Sequence, residues 1–215
     1  MIGASHHPPD EMLVAYGAGS LDEAGALLVA THLTLCPRCR AEVAHVEALG
    51  GQVMDELPPT ALSAGALDAV LAVLNLPAPV APPPARKRPS GLPAPLAAYV
   101  GDGLDTLPWK RLGRGIEQVF LLGDRAVRAR LLRVAPGVVI PRHGHAGLEL
   151  TLVLAGGFAD QGRAYDRGDV EVADRQTVHA PAADAKEGCL CLAVTDAPLR
   201  LTGLLGLLIN PFVDL

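Results

Sequence analysis

The sequence predicts an α+β multidomain chain, a small helical unit followed by an all-β sandwich or barrel, and three observations predict it. Apolar residues recur at helical spacing up to about residue 76. Eight prolines then fall between Pro77 and Pro95. Beyond them, apolar residues come in short runs broken by Gly and Asp, the pattern of strands. At 215 residues the chain is long enough for two modest cores. Half of its residues are hydrophobic but only 3% are aromatic, so those cores must be aliphatic.

The helical unit, residues 1–76, divides into four elements. Asp10 is placed to cap a short helix carrying Leu13, Val14 and Tyr16, which Gly17 and Gly19 end. Ser20-Leu21-Asp22-Glu23 reads as a capping box opening a second helix through Leu27, Leu28, Val29 and Leu33. Pro37 suits the first position of a third helix, expected to run to about Leu49 and stop at Gly50-Gly51. A fourth, from about Leu62 to Leu76, sets Leu67, Val70, Leu71 and Leu74 on one stripe.

Residues 77–95 form a semi-rigid Pro-rich linker carrying Arg86-Lys87-Arg88, which is read as a solvated patch. Strands are expected at Val119–Leu122, Ala126–Val134, Val138–Ile140, Leu150–Leu154, Val170–Val172 and Leu190–Val194, within a unit spanning 96–198. An apolar tail, residues 199–215, closes the chain. Arg200, Asn210, Pro211 and Asp214 interrupt that tail, which is too short to span a bilayer.

Charge narrows the partners. The formal net charge is −5, yet residues 1–76 alone hold nine acidic side chains against Arg38 and Arg40, a balance of −7. An acidic module suits a basic protein better than a phosphate backbone, so direct nucleic-acid binding is disfavoured. Residues 1–10 show neither a basic n-region nor an apolar h-region. With four cysteines and no secretory leader, a reducing compartment is expected, where thiols act as metal ligands or redox groups. The chain thus reads as cytoplasmic, with no membrane association.

Two clusters carry chemistry. In His32-x3-Cys36-x2-Cys39, residues 32 and 36 lie one above the other on a helix, while Cys39 falls in the first turn of the next, where thiolate is favoured. Two thiolates and two imidazoles are what Zn2+ selects. The fourth corner falls to His6 or His7. Such a site would staple three helices of a module that can bury little surface. The alternatives are a metal-free reactive dithiol and a pair of buried thiols. His45 belongs to no set and reads as a surface residue.

The second cluster, Gly137-x5-His143-x-His145-x3-Glu149-x6-Gly156, matches the first cupin motif at every spacing. Residues two apart on a strand point the same way, so His143 and His145 face one interior, with Glu149 joining from the next strand. His179 would complete the set. Its composition suits Zn2+, Mn, Fe or Ni alike. The second motif's usual Pro, Gly and Asn are replaced by Asp174, Gln176 and Ala183, while Gly168-Asp169 and His179 remain.

Taken together, His6-His7-Pro8-Pro9-Asp10, Ala15-Tyr16 and the run Ala30 to Cys39, followed by the cupin motif, resemble the ChrR family of anti-sigma factors over nearly the whole chain. The resemblance implies an N-terminal four-helix zinc-binding anti-sigma domain and a C-terminal cupin β-barrel of jelly-roll type. It also implies a 1:1 complex with an extracytoplasmic-function (group IV) sigma factor, released under oxidative stress, with singlet oxygen as the trigger. By its spacing to the H-x3-C-x2-C motif, His7 matches the family's N-terminal ligand better than His6. Leu67, Val70, Leu71 and Leu74 are candidate sigma contacts, their alternative being packing on their own domain. Cys189-x-Cys191 places two sulfurs on one strand face near the second cluster, as redox candidates or as inert buried thiols. The rival reading is a metal-dependent cupin enzyme, a dioxygenase or isomerase, fused to a zinc-binding interaction domain.

Overall fold

Helix ends are set by whichever side chain reaches the free backbone N–H groups first. A computed structural model describes residues 3–74, 76, 91–123, 127–197 and 199–201. Helix α1 is Asp10–Gly17, and Pro9, not Asp10, holds the cap position without a side-chain bond. Gly19, at φ +67°, turns the chain out of it. Helix α2 is Glu23–Leu35. Asp22 caps it, its Oδ1 accepting from Gly25 N at 2.9 Å, whereas the Ser20 hydroxyl of the expected capping box donates to Ala15 O. Helix α3 starts at Pro37 as expected but runs to Asp55, through Gly50-Gly51. Glycine lowers helix propensity by only ~1 kcal/mol, and the residues that follow, Gln52 to Met54, are compatible with continuation.

The first three helices enclose a small core of Leu13, Val29, Cys36, Cys39 and Val43. Helix α4, Ala66–Leu74, is shorter than expected and buries no side chain at all. The expected four-helix module is therefore three packed helices plus one that presents its apolar stripe to solvent.

A fifth helix, α5 at Ala94–Val100, lies where linker and barrel were expected to meet, with Pro93 as its cap. Of the expected linker, residues 77–90, including Arg86-Lys87-Arg88, lie outside the described residues. The barrel follows with strands β1 Lys110–Gly113, β2 Ile116–Gly123, β3 Arg128–Val134, β4 His143–His145, β5 Glu149–Asp160 and β6 Arg163–Asp166. It closes with β7 Val170–Ala173, β8 Val178–His179, β9 Ala182–Ala183, β10 Cys189–Thr195 and β11 Leu199–Leu201. The large sheet runs β1-β2-β3-β10-β5-β6, with β7 and β9 also paired to β5. The small sheet runs β11-β4-β8. Pairings are antiparallel, as the jelly-roll expectation requires. Val138–Ile140 makes only an isolated bridge, Val139 to Ala182, and no strand. Leu199–Leu201, expected to open a separate tail, instead pairs with β4, and residues 202–215 lie outside the described residues.

Alternation on the central strands explains their nearly continuous apolar character. On β3, β5 and β10 one set of residues (Leu132, Val134, Val153, Cys189, Cys191) packs in the barrel. The opposite set (Leu131, Leu150, Leu152, Leu192, Val194) packs outward in one cluster with Ala24, Leu27 and Leu28 of α2 and Leu96 and Val100 of α5. A sheet buried on both faces must be apolar on both. Full burial of each of Leu28, Leu96, Leu131, Leu152 and Leu192 contributes roughly 2 kcal/mol. The helical unit is thus seated on the barrel's outer sheet and not joined to it by the proline segment alone.

Candidate metal centres

The last turn of α2 and the first of α3 build the N-terminal cluster. Cys36 caps α3, its Sγ accepting from Cys39 N at 3.5 Å, so the cap geometry itself aims the sulfur inward. His7 Nδ1 stands 3.5 Å from Cys36 Sγ and 3.4 Å from Cys39 Sγ. One ligand atom from each of His7, His32, Cys36 and Cys39 lies within 4.8 Å of the others. His6 points elsewhere, its ring 4.5 Å from that of Tyr165 and its Nδ1 3.5 Å from Asp169 Oδ2.

The donor chemistry fits a cation. His32 is fully buried, and its Nδ1 lies 2.9 Å from Gly168 O. A carbonyl only accepts, so Nδ1 carries the proton and Nε2 holds a lone pair. That Nε2 is buried with no hydrogen-bond partner. Burial pushes His32 down to about 4, lowers His7, and pushes the Cys39 thiol up to about 12, the neighbouring Cys36 adding to the last. Neutral imidazoles are ligands already, whereas the thiols ionise only if a cation replaces their protons.

The second cluster forms where β4 and β8 pair, His143 facing His179 in register. His179 Nε2 lies 3.0 Å from His145 Nε2 and 3.1 Å from His143 Nε2. His143 Nδ1 bonds Pro141 O, and His179 Nδ1 lies 3.0 Å from Asp160 Oδ2 and 3.7 Å from Glu171 Oε1. These outer acceptors turn both Nε2 lone pairs toward one point, the arrangement that orients metal-bound imidazoles. Burial lowers His143 and takes His145 down to about 4. Burial opposes charge on His179 as well, but Glu171 and Asp160 outweigh it and raise its pKa. Two of the imidazoles are thus held neutral, with lone pairs free for a cation, while Asp160 and Glu171 supply negative charge beside the third.

Glu149 is not among the three converging histidines. It lines the same cavity from the start of β5, and its Oε2 accepts from Arg130 Nη2 at 3.2 Å, both side chains being buried. Cys189 and Cys191 also line that cavity. A hydrogen bond with Cys189, together with complete burial, raises the Cys191 thiol well above the ordinary range, so it is not a standing thiolate. The cavity holds about 40 Å³, room for an ion and a water but not for a sizeable substrate. A groove of about 600 Å³ is lined by Arg111, Arg114 and Arg133 together with Cys189 and Leu190.

Sequence reasoning did not single out Asp160, Glu171 or Arg130, nor any role for Gly168-Asp169 beyond the cupin motif. The signal was there for the first three: each is a charged residue inside or ending an apolar run. Away from both clusters, Leu67, Val70, Leu71 and Leu74 are all exposed on α4, as are Val53 and Met54 in the last turn of α3 and Leu57 just beyond it. His45 is exposed, 3.9 Å from Glu42.

Comparison with known proteins places this geometry. The anti-sigma-E factor ChrR of Cereibacter sphaeroides is 47% identical over 207 residues, 96% of this chain and 97% of the relative. The chain belongs to the ChrR family of anti-sigma factors. The ChrR cupin-like domain family matches residues 101–198. A crystal structure of Rhodobacter sphaeroides SigE in complex with the anti-sigma ChrR is similar to this chain, with a TM-score of 0.78 and 44% identity. That match covers 90% of this chain and all of the matched one. Among the described residues no helix is long and apolar enough to cross a membrane.

Proposed function

We propose that the chain is a cytoplasmic anti-sigma factor that binds and inhibits one extracytoplasmic-function sigma factor as a 1:1 heterodimer. The observation that carries this reading is the exposed apolar face of α4 and the end of α3, borne by an acidic helical module. Apolar stripes of this kind dock helix against groove, and the negative charge steers a partner whose DNA-binding face is basic. The family relationship over 96% of the chain supports the partner's class. No catalytic residue is assigned; the 40 Å³ cavity argues for sensing over turnover.

Residues 1–76 act as the anti-sigma domain, with Zn2+ held by His7, His32, Cys36 and Cys39. Bound there, Zn2+ would tie the segment leading into α1 to α2 and α3. Residues 96–198 act as the sensor; His143, His145 and His179 would hold Zn2+ or another divalent metal, with Glu149 lining the same cavity as a further candidate ligand. Oxidative stress, singlet oxygen in particular, is the signal, and it acts at the cavity lined by Cys189 and Cys191. A buried protonated thiol reacts slowly with peroxides, because the thiolate is the nucleophile that attacks them, so an oxidant that needs no thiolate, such as singlet oxygen, fits this cavity better.

The test is calorimetric titration of the full chain with each such sigma factor of its own host, alongside run-off transcription. One partner bound 1:1 and silenced is the expected result. Binding to none of them contradicts the proposal.

A further inference from the structure

Four consecutive barrel residues touch both clusters. Gly168 adopts φ +101°, and a Cβ there would lie 3.6 Å from both Ala4 and Leu35, so this turn lies against the N-terminal segment and α2. Its carbonyl accepts from His32 Nδ1 at 2.9 Å. Asp169, only 4% exposed, accepts from Ser5 N at 2.6 Å and His6 N at 2.9 Å through Oδ1, and from Asp166 N through Oδ2. Val170 N donates to His6 O. Glu171 then turns inward to stand 3.7 Å from His179 Nδ1. The strip cannot slide freely, because Gly168 N donates to Val153 O and Val153 N to Asp169 O on β5.

We propose that Gly168–Glu171 is the coupling element of the molecule. A change at the three-histidine basket passes through Glu171 and along this short strand to Asp169 and Gly168. There it reaches the backbone that presents His7 and the carbonyl that orients His32. Asp169 and Gly168 are positioning residues for the N-terminal cluster, supplied by the other domain. Both the N–H and the C=O of His6 are held by this strip, so any shift of it moves the next residue, His7. The link is about 10 Å of extended backbone, a more direct route than the proline segment. It rests on the reading of the barrel as a sensor, but its geometry and its test are independent of sigma binding.

The experiment is amide hydrogen exchange of the full chain, without sigma factor, at residues 4–7, in wild type, Glu171→Gln, Asp169→Ala and the double variant. Asp169→Ala is expected to speed exchange there at least tenfold, and Glu171→Gln severalfold despite its distance. In the double variant, Glu171→Gln should add nothing, because the path is already cut. Protection at residues 128–134 and 189–195 reports an intact barrel. Should Asp169→Ala unfold the module, Asp169→Asn, which keeps the Oδ1 acceptor, replaces it with a smaller but still non-additive effect. Wild-type exchange at residues 4–7 in Glu171→Gln, or full additivity in the double variant, overturns the proposal. As a second readout, Cys36 and Cys39 should be alkylated faster in Glu171→Gln under a fixed chelator concentration; an unchanged rate counts equally against it.

Discussion

The two histidine clusters sit in opposite kinds of surroundings. The N-terminal cluster lies among three short helices whose own core is five residues, two of which are the cluster's cysteines. The barrel cluster lies on the small sheet and faces a large sheet that holds together through aliphatic packing on both faces. Two candidate metal sites with different ligands in unequal frames take unequal roles: the first cluster should be needed for its domain to fold, the second should be a passenger free to respond.

The largest expected effect follows directly. Cys36→Ser, or strong chelation, should remove a structural contribution on the order of 10 kcal/mol and melt α1 to α3. Circular dichroism would show the helical loss while exchange protection at residues 189–195 persists. His143→Ala should cost only the local packing of a partly polar site, on the order of 1–2 kcal/mol, and leave the helices intact. If the barrel variant melts the helices as well, the contrast between the clusters is broken.

Acid sharpens the comparison. His32 is held at about 4 when folded, against about 6.5 unfolded, so the unfolded chain binds protons first as pH falls. Its contribution, on the order of 3 kcal/mol, is present above pH 6.5 and lost between 6.5 and 4. His7 is shifted in the same direction. In the barrel His143 and His145 are shifted the same way, the latter also to about 4, and only raised His179 opposes them, with stability at low pH that is lost as pH rises through its folded value. Both units should therefore lose stability as pH falls from 6.5 towards 4. The helices should give way first, because their own core is five residues while the barrel's sheet is packed on both faces. Hydrogen exchange as a function of pH would show this order; earlier loss of the barrel would deny the difference.

Smaller effects are expected on the surface. Val70→Asp with Leu74→Asp should weaken sigma binding about tenfold or more with almost no change in melting temperature, since both are exposed. Charge reversal at Asp55, Glu56 and Asp68 should mainly slow association and flatten its salt dependence, by stopped-flow mixing at two ionic strengths.

How much could be read from the sequence differs between the same two regions. The ligand types, the helix starting at Pro37 and the central strands were legible, because they depend on local spacing. The short strands β1, β6, β8, β9 and β11 were not, since two to four residues carry too little periodicity. Nor was α3's passage through Gly50-Gly51, where neighbours outweigh a weak penalty. His6 and His7 are equivalent by composition. Only Asp169 and Tyr165, distant in sequence, turn one away and leave the other 3.4–3.5 Å from both thiols. Glu149 illustrates the same limit, because its ion pair with Arg130 joins two strands that no spacing rule connects. The seating of α2 on the barrel was likewise hidden, although the unbroken apolar strands signalled that both faces needed cover.

The central claim is that one cluster builds the inhibitor and the other instructs it. The most direct measurement is sigma-factor affinity by calorimetry for Cys36→Ser and His143→Ala, each before and after exposure to singlet oxygen. The account predicts that Cys36→Ser binds at least a hundredfold more weakly from the outset, while His143→Ala binds like wild type and no longer releases on exposure. Normal release by His143→Ala, or normal binding by Cys36→Ser, would contradict it.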